Sequence, residues 1–185
     1  MKVHNTTSDF LNWRKSVDIN AVVGFIPTMG ALHAGHLSLI ELAKNSCDIV
    51  VVSIFVNPKQ FSENEDFDTY PRKLSEDLKK LRPRAISSVF APSAGDIYVD
   101  DKTKIEFNHP FAKILEGQSR PHFFPGVIDV VSRLFDIVNP TKAFFGRKDA
   151  QQLILIKKMV DVLKYNIKII PGETIREKNG LAMSS

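Results

Sequence analysis

The sequence predicts an α/β fold with a mainly parallel sheet, on three observations. Strand-like and helix-like hydrophobic periods alternate along the chain, as crossover connections between parallel strands require. Residues 48–56 (DIVVVSIFV) are β-branched and apolar almost throughout, the pattern of a central strand covered on both faces. Residues 21–26 form a second apolar run that passes through a glycine-containing turn into an amphipathic pattern.

The elements follow in order. Ser8 or Asp9 is the expected N-cap of a helix carrying Phe10, Leu11, Trp13 and Val17. Residues 21–26 read as a buried strand stopped by Pro27. Leu37, Leu39, Ile40, Leu42 and Ala43 fit one face of the next helix. After the strand at 48–56 comes a polar stretch, 57–72, of a length that compact domains reserve for functional or mobile loops. A helix over 74–81 and a short strand at Val89 and Phe90 follow, then a hairpin or irregular excursion over 96–109. Val127, Val130, Val131, Leu134, Phe135 and Val138 mark a strong helix. A strand at 143–145, a helix at 150–163 and a strand at 167–170 complete the pattern, with no internal repeat.

Composition excludes several classes. Of 185 residues, 43% are hydrophobic and 25% charged, close to the globular average and unlike a disordered or fibrous chain. No apolar run approaches the ~18–20 residues of a membrane helix. The start, Met1-Lys2-Val3-His4, turns polar at once and lacks a secretory core. Cys47 is the single cysteine, which rules out an intrachain disulfide and a cysteine zinc site. These features point to a cytoplasmic location and no membrane partner. The net charge is +4 and the pI about 9.1. The basic residues are spread along the chain, which suits a small anionic ligand better than nucleic acid.

Ligands of parallel sheets bind at the carboxyl ends of the strands. The segments there are 27–36, 57–60 and 146–149, expected on one sheet edge, with 181–185 in position to join them. In the first, a strand runs through Met29, Gly30, Ala31 and Leu32 to His33, Ala34, Gly35 and His36. Glycine lets the backbone approach a ligand, and a helix N-terminus favours an anion by ~0.3–1 kcal/mol. Two imidazoles three residues apart share one face and can donate to phosphate, more strongly when protonated. No third ligand or H-E-x-x-H helix supports a zinc site, and Gly30 and Gly35 fit neither a dinucleotide nor a P-loop motif.

Gly146, Arg147, Lys148 and Asp149 follow a strand and open a helix. Lysine there supplies a mobile cation, and the aspartate an acceptor for ribose hydroxyls. Gln60 and Gln152 offer neutral amides suited to a hydroxylated small molecule. Glu76 and Asp77 offer carboxylates to magnesium, against the plainer reading of a solvated pair.

The segments GFIPTMGALHAGH, VVVSIFVNPKQF, YPR, VFAPS, EGQSRP, FGRKDAQQ and GLAMSS together resemble the pantothenate synthetase (pantoate–β-alanine ligase) family, within the nucleotidylyltransferase superfamily of Rossmann-like folds. The likeness runs from Gly24 to Ser185. It implies a sheet with helices on both faces and a two-step reaction: ATP and pantoate give pantoyl adenylate and pyrophosphate, then β-alanine gives pantothenate and AMP. By resemblance His36 holds the proton-donor position with His33 beside it, and Lys148 stabilises phosphoryl transfer. Residues 29–36 and 146–149, Ile175, Met183, Ser184 and Ser185 match nucleotide contacts. Gln60 and Gln152 match pantoate contacts, Gln60 also reaching β-alanine, and Asp77 with Glu76 matches a Mg2+ position. The family reads G-H-F after Arg-Pro where this chain has His122-Phe123-Phe124, so His122 is left outside the site. The family also continues beyond this sequence with a smaller C-terminal lid. Residues 1–185 are thus expected to form the ATP- and pantoate-binding domain of a longer, homodimeric enzyme. Another nucleotidylyltransferase of the superfamily, or an inactive nucleotide-binding module, is the competing expectation.

Overall fold

The computed structural model describes residues 1–62, 65, 67, 69–99, 105 and 107–185. Residues 100–104 and 106 of the expected excursion, and 63, 64, 66 and 68 of the polar stretch, lie outside the described residues. Strands β1 (Lys2–His4), β2 (Val23–Thr28), β3 (Ile49–Ile54), β4 (Ser88–Phe90), β5 (Lys142–Gly146) and β6 (Lys168–Gly172) pair in parallel in the order β1-β4-β3-β2-β5-β6. Helices α1 (Thr7–Lys15), α2 (Ala34–Lys44), α3 (Leu74–Leu81), α4 (Ala94–Ile97), α5 (Glu116–Ser119), α6 (Phe123–Val138) and α7 (Ala150–Val162) connect them.

Period-2 alternation explains why the central strands are apolar throughout. Phe25, Val51, Ala143 and Phe145 enter one core, with Phe10 of α1 and the apolar faces of α6 and α7. Ile26, Val50, Val52 and Phe144 enter a second core on the other face, with Leu39 and Ile40 of α2 and Leu81 of α3. Each strand therefore feeds two cores at once, as a sheet with helices on both faces demands.

Several boundaries differ from expectation. Thr6, not Ser8 or Asp9, caps α1, its hydroxyl accepting from the Asp9 N–H, and Val17 lies past the helix. Pro27 does not end β2. The Thr28 carbonyl accepts from Phe55 on the β3 side, so Pro27 faces β5, whose ladder stops at Gly24 and Phe25. No ladder N–H is missed there. β1 was invisible to periodicity because three residues show too little pattern. Residues 181–185 come after β6, as expected, and Ala182 makes an isolated bridge with Arg176.

Because the chain leaves β2 toward β3 and β4 and then returns to β5 on the other side, the strand order reverses between β2 and β5. A crevice at the carboxyl ends of these two strands follows from that reversal.

Candidate active site

Thr28 starts the turn after β2: its hydroxyl donates to the Ser53 carbonyl at 2.7 Å and accepts from Gly30 N–H. Gly30 then takes φ 88°, a conformation natural only to glycine. His33 is the N-cap of α2. Its Nδ1 accepts from Gly35 N–H at 3.1 Å, and His36 Nδ1 accepts from His33 N–H at 3.4 Å, closing a reciprocal cap. The two rings lie 4.2 Å apart between centroids.

With each Nδ1 accepting, each ring carries its proton on Nε2. Burial, then His33, Lys148 and Lys80, push His36 down to about 4. Burial followed by Lys148 and Lys80 also lowers His33. The sequence left the charge state open: here a cation would break the cap and meet two lysines, so both imidazoles stand neutral with Nε2–H available to donate.

Across the switch point, Gly146 ends β5 and a 3-10 turn (Arg147–Asp149) leads into α7. The Lys148 ammonium donates to Ser184 Oγ at 3.1 Å. Met29, His33, Gly35 and His36 from the first segment, and Gly146, Lys148 and Asp149 from this one, face a common cleft of about 430 Å³. That volume lies in the range of small-molecule sites, ~300–1,000 Å³. Gln60, Gln152, Ile175, Met183, Ser184 and Ser185 line it too.

Other expected residues stand elsewhere. Leu32 is buried in the core beside α2, and the N–H groups of Ala31 and Leu32 turn toward α3. Gly30, Ala34 and Arg147 likewise do not line the cleft, although Arg147 pairs at 3.4 Å with Glu173, which does. The acid pair does not fit the magnesium role. Glu76 is exposed beside Lys73, while Asp77 is 1% exposed and spends both oxygens on backbone N–H groups. Among the described residues no cluster of three His, Cys, Asp or Glu is placed to hold a metal. His122 is exposed at the N-cap of α6 and does not itself line the cleft, though Arg120 and Phe123 beside it do.

Tyr70 and Arg120 are among the cleft residues that escaped the reading of spacing. Tyr70 bonds to Ser185, and burial raises its hydroxyl pKa. Arg120 lies over the Phe123 ring at 4.2 Å, paired with Glu65 and Glu116. Both sit in quoted motifs, YPR and EGQSRP, but nothing local showed where those loops return.

Gln60 is positioned by α6. The turn Pro58–Gln60 is capped by Asn57, whose Nδ2 donates to the Gly126 carbonyl at 3.1 Å and whose Oδ1 accepts from the Tyr98 hydroxyl at 2.7 Å. A Cβ on Gly126 would collide with the Lys59 carbonyl. Below the turn, buried Asp129 pairs with Arg133 at 3.0 Å and with Lys59 at 3.6 Å.

A crevice at the switch point, with neutral imidazoles at one helix start and a lysine before the next, gives an α/β domain of the nucleotidylyltransferase-like fold with its cleft where such sheets take ligands. Comparison narrows this. The Pantoate-beta-alanine ligase family model matches residues 2–185, and the chain belongs to that family. It is 52% identical over 165 residues to the pantothenate synthetase of Carboxydothermus hydrogenoformans, covering 89% of this chain and 58% of that relative. With that of Vesicomyosocius okutanii the identity is 55%, covering 88% and 57%. The crystal structure of pantoate-beta-alanine ligase from Francisella tularensis, complexed with beta-gamma ATP and beta-alanine, superposes with a TM-score of 0.96 at 43% identity, covering all of this chain and 71% of the other. The chain thus spans under three-fifths of the two curated relatives. Among the described residues, no helix is long and apolar enough to cross a membrane.

Proposed function

We propose that the protein condenses pantoate with β-alanine, using ATP, through a pantoyl-adenylate intermediate. In the first step a pantoate carboxylate oxygen attacks the α-phosphorus of ATP. The new O–P bond forms as the bond to the bridging oxygen breaks, and pyrophosphate leaves with the electron pair. In the second, the β-alanine amine attacks the acyl carbon, AMP departs, and the ammonium proton is lost to solvent. The substrates bring both nucleophiles, so rate comes from positioning and charge stabilisation.

His33 and His36 donate from Nε2 to phosphate oxygens. Lys148 answers the charge that builds on the α-phosphate, and Gln60 and Gln152 hold the hydroxy acid, Gln60 also serving β-alanine. Asp149, Ile175, Met183, Ser184 and Ser185 complete the nucleotide side. We assign magnesium to the phosphates of ATP rather than to Glu76 and Asp77. A homodimer in the cytoplasm, with residues 1–185 as the substrate-binding domain of a longer enzyme, completes the proposal.

The observation that carries it is the meeting of the imidazole pair and Lys148 over one cleft that also holds both glutamine amides. Pantoate-dependent exchange of pyrophosphate into ATP tests it. His36→Ala should lower the exchange rate by roughly 100-fold. Exchange that ignores pantoate, or that His36→Ala leaves untouched, overturns the reading. Product formed only from a phosphorylated acceptor would point instead to another nucleotidylyltransferase.

A further inference from the structure

The turn between β2 and α2 is gripped from outside the cleft. Gly30 and Ala31, at φ 88° and 50°, take successive left-handed conformations that present the next two N–H groups to α3. There the buried Asp77 carboxylate accepts both, Oδ2 from Ala31 at 2.9 Å and Oδ1 from Leu32 at 2.8 Å. One turn further along α3, and so on the same face, Lys80 Nζ donates to the Leu32 carbonyl at 2.6 Å. A Cβ on Gly30 would come within 3.1 Å of Asp77 Oδ2, so glycine makes room for the grip.

The peptide unit joining Leu32 to His33 links this grip to the chemistry. Its oxygen is held by Lys80, and its N–H donates to His36 Nδ1. A cation on the oxygen polarises the amide and strengthens its N–H as a donor. The same unit delivers the chain to His33, whose own Nδ1 caps Gly35.

From this geometry we propose that Asp77 and Lys80 are positioning residues, which through the Ala31–His33 backbone set the tautomer and aim of both imidazoles. The proposal deepens the adenylation reading and rests on it. It also gives Asp77 a task other than metal ligation: both carboxylate oxygens are already committed to the turn.

Asp77→Asn and Lys80→Met, made in the whole protein, test this with three readouts. Nitrogen-15 spectra of the imidazoles at pH 7.5, without substrates, report the tautomer. The unsubstituted protein should show Nε2–H alone at His36, and each variant a mixture of tautomers. In pyrophosphate exchange, kcat should fall roughly 10- to 100-fold with the pantoate KM little changed. The magnesium concentration for half-maximal exchange should not move. A wild-type tautomer signature in Asp77→Asn overturns the proposal, as does recovery of its exchange on raising magnesium. If Asp77→Asn does not fold, Lys80→Met decides by the same spectra. Absence of exchange in the unsubstituted protein would strike the adenylation reading alone, because the spectra need no substrate.

Discussion

His36 illustrates what it costs to hold an imidazole neutral inside a cap. Its pKa lies at about 4 in the folded protein, chiefly through burial, against an ordinary 6.5. The unfolded chain therefore binds the proton first as pH falls, and folding loses stability. His36's contribution is whole above pH 6.5 and declines as pH drops toward 4. Urea unfolding between pH 7 and 4 should show that slope, and His36→Gln should flatten it; an unchanged slope would mean the folded ring titrates near its ordinary value. The histidine pair itself was legible in the sequence, since its i, i+3 spacing after a buried strand is local information. Its charge state was not, because that depends on which nitrogen meets a backbone N–H. Asp77 was misread for a related reason: adjacent acids on a helix look alike until the burial of one is known.

At the scale of elements, the segment that carries Gln60 depends on α6. Asp129 is 2% exposed with Arg133 and Lys59 around it. Removing one partner of a buried ion pair strands the others, at about 3–5 kcal/mol. Asp129→Ala should lower unfolding free energy by that order in urea titrations, and a loss under 1 kcal/mol would show that water reaches the pair. Gly126→Ala is expected to cost stability as well as function, because its methyl meets backbone rather than a movable side chain. Its methyl would push the Lys59 carbonyl away, carrying Gln60 with it, so the pantoate KM should rise several-fold while the ATP KM holds. Equal rises in both constants would refute this route. The run of α6 was readable from its apolar period, but it begins at Phe123 rather than 127, since the first turn packs by aromatic contact rather than by period. The close approach at Gly126 pairs residues over sixty positions apart, and no window of sequence shows it.

At the scale of the whole molecule, the reversal of strand order between β2 and β5 brings distant segments to one cleft. Alternation of strands and helices announced a parallel sheet, and the rule for strand ends named the right segments. The order of the strands was beyond its reach, because order is decided by which helices cover which face. The cleft should bind nucleotide only when the sheet is assembled. ATP at 100 times its Kd should then stabilise the protein by about 2.7 kcal/mol, read as a shift of the urea midpoint, whereas no shift would place the nucleotide elsewhere.

Gly126 also bears on redesign. Because Lys59 meets Gly126 main chain against main chain, that contact has no side chain to trim. Anyone wishing to admit a bulkier acid would have to shorten Val130 or Leu134, which face the cleft from the same helix, leaving the glycine as it is.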